Sequence, residues 1–236
     1  MSPVQQGAVG AVRAVDLDGV SLVEKRLSDP VRHETEVRAL RAAAGCGLPV
    51  PRIVSEAPGV ILMTRMPGER LDASTADLRN ERLAGSMPLL RRLHATAPPA
   101  GLAPAPDDAL IVARYRAAGG PPLALEIPAP RSPAFCHGDW TDGNALAIGA
   151  TITAVLDWEA AHAGDPLREL ARAAWGASRK DPRSFDVMVD AYGADRSEVR
   201  AWTPIVAAEL WLWFAEAGPP EYLAELTRQL ASGRVA

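Results

Sequence analysis

The chain has 236 residues, a length that suits one mid-sized domain or two small lobes sharing a core. Hydrophobic residues make up 48% and charged residues 23%, the proportions of a globular protein and not of a disordered one. Lys and Arg number 25 against 29 Asp and Glu, a formal net charge of -4 with no basic block, which argues against a nucleic-acid partner.

From the N-terminus, Ala8 to Leu27 reads as strand: Ala11 to Val15 alternates apolar and polar positions, and Asp18-Gly19 is a hairpin turn leading into Val20 to Leu27. A helix is expected next, capped by Ser28 or Asp29 with Pro30 in its first turn, carrying Val37, Leu40 and Ala44 at helical spacing and ending at Gly45 and Gly47. Strands are expected over Arg52 to Ser55 and Val60 to Thr64 around a turn at Ala57-Pro58-Gly59. Met66-Pro67-Gly68 breaks this β-β-α-β-β unit and divides the chain into an N-terminal region, 1–66, and a C-terminal one, 67–236. The second region begins with a helix over Asp77 to Ala95, which Pro88 is expected to divide. Pro-rich stretches at Ala97 to Pro106 and Pro121 to Pro133 flank a helix at Asp107 to Ala118. Short strands and loops fill Ala134 to Trp158, and four further helices are expected over Leu167–Ala177, Ser184–Tyr192, Ser197–Ala217 and Glu221–Leu230.

Cys46 and Cys136 are too few for a disulfide framework and lack metal-ligand spacing. The segment MSPVQQGAVG has no basic stretch followed by an apolar run, and the longest apolar stretch, Ile205 to Ala215, is interrupted by Glu209 and too short for a bilayer. A cytoplasmic protein with no membrane partner is the expectation. Aromatic residues are lopsided: none precedes Tyr115, and all six Trp lie at or beyond Trp140.

Three polar clusters stand out. The first is His137-Gly-Asp-Trp-Thr-Asp-Gly-Asn144, the second is Asp157-Trp158-Glu159 at the end of an apolar run, and the third is strand residue Lys25 with Glu34 or Glu36 on the next helix. Singly, each fits a turn, a loop cap or a surface ion pair. Together they suit phosphoryl transfer, which needs a positioned acceptor hydroxyl and neutralised phosphate charge. A loop carboxylate can take the hydroxyl proton, an Asn oxygen and a second carboxylate are hard ligands for Mg²⁺, and a Lys held by a helix Glu is a fixed cation for phosphates.

With Gly47-Leu-Pro-Val-Pro51, Met66-Pro-Gly-Glu-Arg-Leu71, Leu93-His94 and Gly164-Asp-Pro166, these segments resemble the aminoglycoside phosphotransferase and choline kinase family over about Ala11 to Leu170. The resemblance implies an α+β, two-lobed protein-kinase-like fold, with a small antiparallel β-rich N-lobe binding nucleotide and a larger, mainly helical C-lobe. It implies Asp139 as catalytic base, His137 bracing its loop by hydrogen bonds, Asn144 and Asp157 holding Mg²⁺, and Lys25 on the α- and β-phosphates with Glu36 as partner. Backbone groups at Thr64, Arg65 and Met66 would meet the adenine edge, and Val23, Ile53 and Met63 would sandwich its faces. The implied function is transfer of the γ-phosphate of ATP, or GTP, to a hydroxyl of a small molecule: an aminoglycoside-like antibiotic, an amino alcohol or a sugar. The glycine-rich loop is reduced to Gly7-Ala8-Val9-Gly10, which leaves a catalytically inactive nucleotide-binding protein as the alternative.

Four further residues are acceptor candidates. Asp142 and Glu159 are solvent-facing loop acids, added charge for the cation site, or receivers of a substrate amine. Glu209, inside an apolar helix, shares a face with Trp213 and Glu216 and is either paired to an Arg of another helix or part of an acceptor pocket with Trp213. His94 reads as a structural ring beneath the catalytic loop, and both cysteines as small buried residues.

Overall fold

Asp18-Gly19 has positive φ at both residues, 52° and 78°, the geometry a tight hairpin demands, and joins β2 (Gly10–Leu17) to β3 (Val20–Leu27). This computed structural model describes residues 5–6 and 10–233 of the chain, so Gly7, Ala8 and Val9 of the short glycine loop lie outside the described residues. With β1 (Gln5–Gln6), β4 (Ile53–Ala57) and β5 (Val60–Thr64), the hairpin forms a five-stranded antiparallel sheet in the order β1-β2-β3-β5-β4. Helix α1 (Pro30–Gly45) crosses between β3 and β4; the Asp29 carboxylate caps it by accepting from the Val31 N–H, and Pro30 occupies the first turn, where no N–H is needed. Leu27, Val37, Ile61 and Met63 close a small aliphatic core between sheet and helix, with Val23 and Ile53 half-buried at its edge.

The rest of the chain is mainly helical: α2 (Ala76–His94), α3 (Asp108–Ala117), α4 (Pro166–Ser178), α5 (Arg183–Tyr192), α6 (Arg196–Glu216) and α7 (Pro220–Ala231). Pro88 does not divide α2. It is exposed, and α2 runs through it as one helix. Two small antiparallel ladders lie among these helices: β6 (Glu69–Arg70) with β8 (Ala145–Ile148) and β9 (Thr151–Val155), and β7 (Ala134–Cys136) with β10 (His162–Gly164). The main core gathers Leu90, Phe135, Trp158, Trp202 and Ile205, and continues into the C-terminal half of α1 through Ala39, Leu40 and Ala43. The architecture is α+β and protein-kinase-like. No helix among the described residues is long and apolar enough to cross a membrane.

Candidate active site

Antiparallel pairing sets Lys25 opposite Val12 on one side and Ile61 on the other, in the middle of the sheet and beneath α1. Its Nζ lies 2.9 Å from Glu36 Oε2, 2.7 Å from Asp157 Oδ1 and 3.1 Å from Glu159 Oε2. Of the two helix acids open in the sequence, the structure brings Glu36 to the lysine. Burial alone would lower the Lys25 pKa, but the three carboxylates outweigh it and hold the ammonium above its ordinary range. Glu36 is only 1% exposed, and burial pushes its carboxyl up to about 7 against the opposing pull of Lys25.

The loop after β7 is shaped by one glycine. Gly138 has φ +86°, and a Cβ there would fall 2.1 Å from the Ala160 carbonyl oxygen. That close approach lets the loop lie against the segment following Asp157. His137, fully buried, spends both ring nitrogens on the same junction: Nε2 donates to the Leu156 carbonyl at 2.9 Å, and Nδ1 accepts from the Asp139 N–H at 3.2 Å. Burial lowers its pKa, so the ring stays neutral, packed 4.5 Å from Trp158 and 5.7 Å from Trp140 between ring centroids. His137 therefore positions Asp139 and has no lone pair left with which to move a proton.

Asp139 is 40% exposed; its Oδ2 accepts from Asn144 Nδ2 at 2.8 Å, and its Oδ1 lies 3.6 Å from Arg172. The Asn144 amide also donates to the Asp139 carbonyl at 3.0 Å, leaving its oxygen without a hydrogen bond among the described residues. Asp157, just past β9, is one of two non-glycine residues with positive φ among the described residues, at 65°, and its carboxylate is 44% exposed with Lys25 as its only partner among them. An amide oxygen and a half-free carboxylate make a donor set suited to Mg²⁺. At the hinge after β5, Arg65 donates its N–H to Ser21 at 3.4 Å, whereas the Met66 N–H has no partner among the described residues. Thr64 is half-buried with its hydroxyl accepting from the Arg52 N–H at 2.9 Å.

Neither Asp142 nor Glu159 is a solvent-facing acid awaiting an amine. Asp142 lies 2.7 Å from Arg79 of α2 and 3.0 Å from Lys180; although burial works to raise its pKa, these cations hold it below the usual carboxylate range. Glu159 bridges Lys25 and Arg32 of α1, the latter at 3.0 Å. Glu209 takes the ion-pair alternative, 3.2 Å from Arg168 and 3.4 Å from Arg172, both on α4. Trp213 is 44% exposed, packs on Phe214 and does not line the cavity beside Asp139. Helix α6 does border the cavity beside Asp139, but through Val206 and Leu210; the aromatic lining comes from Trp140 and from Trp175 of α4. A larger and more open groove, about 360 Å³ between α1 and β4, is lined by none of these groups.

Glu169 escapes a reading of the sequence. In the first turn of α4 it looks like an ordinary helix-start acid, yet it is buried and accepts from the backbone N–H groups of His137 and Gly138 and from His94 Nε2 at 2.7 Å. Burial would raise its carboxyl, but these donors bring it down to about 2. His94 contacts the Tyr192 hydroxyl through Nδ1 at 2.8 Å, so a buried polar chain runs from α5 to the loop. The cysteines are buried or half-buried; burial, then Glu169, pushes the Cys136 thiol up.

The sequence pattern of the phosphotransferase enzyme family matches residues 20–202, more than half of the chain. The chain belongs to that family. Its motifs from Lys25 through Asp157 all fall within the matched span. A comparison with curated protein sequences finds no match. Among solved structures, the phosphotransferase is similar to an apo aminoglycoside phosphotransferase APH(4)-Ia, a thermostable mutant, at TM-score 0.73 and 18% identity over 99% of this chain and 94% of that one. It is also similar to a macrolide 2′-phosphotransferase of Brachybacterium faecium (0.68, 20% identity, 94% and 88%). A choline/ethanolamine kinase family protein of Mesorhizobium loti gives 0.68 at 18% identity, covering 99% and 86%. At these identities the likeness is one of fold.

Proposed function

We propose that the phosphotransferase is an ATP- and Mg²⁺-dependent small-molecule kinase, with residues 1–66 binding the nucleotide and residues 67–236 supplying the catalytic loop and the acceptor site. The observation that carries this reading is the junction at Leu156: the His137 ring ties Asp139 to the residue preceding Asp157, whose carboxylate holds Lys25. Acceptor-side and phosphate-side groups thus share one rigid frame, the positioning that phosphoryl transfer depends on. A neighbouring aminoglycoside phosphotransferase structure is a ternary complex with AMP-PNP and hygromycin B, which supports a nucleotide donor here.

Asp139 accepts the proton of the acceptor hydroxyl as that oxygen forms its bond to the γ-phosphorus and the bond to the β-phosphate oxygen breaks, releasing ADP. Asn144 keeps the carboxylate aimed. Lys25 exchanges its Asp157 contact for the α- and β-phosphates, with Glu36 retaining it in place. Asn144 and Asp157 are the residues that would hold Mg²⁺, which supplies charge neutralisation on the phosphates when bound. Val23, Ile53 and Met63 offer adenine an aliphatic bed, and the unpartnered Met66 N–H is a hinge donor for its edge; a GTP donor meets the same groups.

Asp139→Ala should abolish transfer while nucleotide-induced thermal stabilisation persists. Near-normal turnover in that variant sinks the mechanism, and nucleotide binding by the wild type with no transfer to any acceptor leaves a binding protein only.

A further inference from the structure

The cavity beside Asp139 measures about 190 Å³ and is walled by Trp140, Trp175, Val206 and Leu210, with Arg172 and Arg179 among its polar lining. It is smaller than the roughly 300–1,000 Å³ of sites that enclose drug-sized ligands and suits a single ring or a short chain. Its electrostatics are unusual for a kinase of amino compounds. Every carboxylate around it already lies beside a cation: Asp139 is 3.6 Å from Arg172, Asp142 is held by Arg79 and Lys180, Glu209 by Arg168 and Arg172, and Asp108 by Arg168 at 2.8 Å. Among the described residues no free acid remains to receive an ammonium group.

One cation, by contrast, is under-used. Arg179 has no carboxylate within 4 Å among the described residues; its Nε donates to Gln229 at 3.1 Å and its guanidinium sits 5.7 Å over the Trp175 ring. Glu225, the nearest acid to influence it, is itself paired with Arg228 and accepts from Gln229. Burial lowers the Arg179 pKa, as befits a half-buried guanidinium without a counter-ion. Arg172, the other cation in the lining, faces Glu209 and Asp139 through its terminal nitrogens but has a buried Nε with no hydrogen-bond partner among the described residues. Arg172, Trp175 and Arg179 follow helical spacing along α4 and its C-cap, so they present one face to the cavity.

Resting on the kinase reading above, we propose that the acceptor is a small hydroxy compound bearing an anionic group, with its hydroxyl at Asp139 and its carboxylate or phosphate between Arg172 and Arg179. A planar guanidinium fork matches either anion, and the Trp175 face covers the carbon skeleton. A polycationic acceptor would meet the unpaired Arg179, while the nearby acids already face cations.

The test pairs acidic compounds with neutral counterparts of similar size: glycerate with glycerol, gluconate with sorbitol, glucose 6-phosphate with glucose. Ethanolamine and hygromycin B serve as cationic members. Each is scored by thermal shift of the full chain in AMP-PNP and Mg²⁺, and by ATP consumption with product mass. At least one acidic compound should bind and accept phosphate, with kcat/KM about tenfold or more above its neutral partner and no transfer to the cationic members. The carboxylate and phosphate arms identify which anion is read. Arg179→Gln should raise KM for that acid about tenfold and bring the pair near parity, with Arg179→Lys restoring part of the preference and nucleotide affinity reporting an intact fold. Preference for neutral or cationic acceptors, no binding by any acid, or discrimination that survives in Arg179→Gln overturns the proposal. Charge-selective binding without transfer leaves it standing and removes the kinase reading; transfer to the amines does the reverse.

Discussion

Replacing Glu169 with Gln keeps the shape of the brace under the catalytic loop and removes only its charge and half of its accepting capacity. One carboxylate oxygen accepts from the Gly138 N–H, and the other from His94 and the His137 N–H. A glutamine has one acceptor oxygen and an NH₂ that must face donors. His94 can change tautomer to accept from it, but one loop N–H is then left buried and unpaired, at a cost of about 1–3 kcal/mol, beyond the lost charge-assisted bond. The depressed pKa of Glu169 expresses the same contacts as a protonation preference. Its carboxyl falls from an ordinary 4.5 to about 2, so the native interactions favour the ionised form by about 3 kcal/mol at neutral pH. A domain of this size loses roughly 2–4 °C in Tm per kcal/mol, so Glu169→Gln should melt about 6–12 °C lower, with turnover reduced because Asp139 is two residues from the freed amide. Since the folded pKa is the depressed one, the stabilisation is complete above pH 4.5 and drains away as pH falls towards 2. Denaturant unfolding followed from pH 6 to 3 should show that slope in the wild type and a flatter one in the variant. A Tm change below about 2 °C, with an unchanged acid slope, would refute the brace.

Other outcomes follow from the same geometry. Gly138→Ala forces a Cβ into the Ala160 carbonyl at positive φ, and the displaced Asp139 should reduce kcat by about 10²-fold or more, read by steady-state turnover. Lys25→Met strands Glu36, Asp157 and Glu159 together and should cost about 3–5 kcal/mol at neutral pH by urea unfolding. In the variant the Glu36 carboxyl, already pushed up by burial and now without Lys25 to pull it down, moves higher still, so the variant's own stability should rise as pH falls from 7 towards 5. Trp213→Ala removes an exposed ring that does not border the Asp139 cavity, and should leave acceptor KM within about twofold.

Local signals were the ones the sequence displayed openly. Asp18-Gly19, the Asp29-Pro30 cap and the helical spacing of α1 depend on neighbours within a turn, and the structure has them where those rules place them. The loop from His137 to Asn144 and Asp157 stood out as candidates because their residue types sit at fixed short spacings. What stayed hidden was non-local. The partners of Glu209 and Asp142 come from α4 and α2, and nothing near either acid announces an arginine tens of residues away. Glu169 was masked by a position where an acid is expected for dipole reasons alone. Strands β6 and β10, two and three residues long, carry no periodicity to detect. Pro88 misled because a proline's breaking power depends on the packed helix around it, and α2 runs through this one. The α4 face was partly legible as Arg172-x-x-Trp175-x-x-x-Arg179, but its last member lies just past the expected helix end.

Of the six tryptophans, Trp140, Trp158, Trp175, Trp202 and Trp211 are buried in the main core, while the small core of Leu27, Val37, Ile61 and Met63 has no aromatic ring at all. Intrinsic fluorescence of this protein is therefore a one-sided instrument. It registers loosening around the helices and is blind to fraying of the five-stranded sheet, so an emission trace alone could look two-state while the sheet had already opened. The same darkness is an opening for spectroscopy: excitation-energy transfer from the native tryptophans to an acceptor dye placed on β2 would measure sheet against helices, with no donor on the sheet side to confuse the signal.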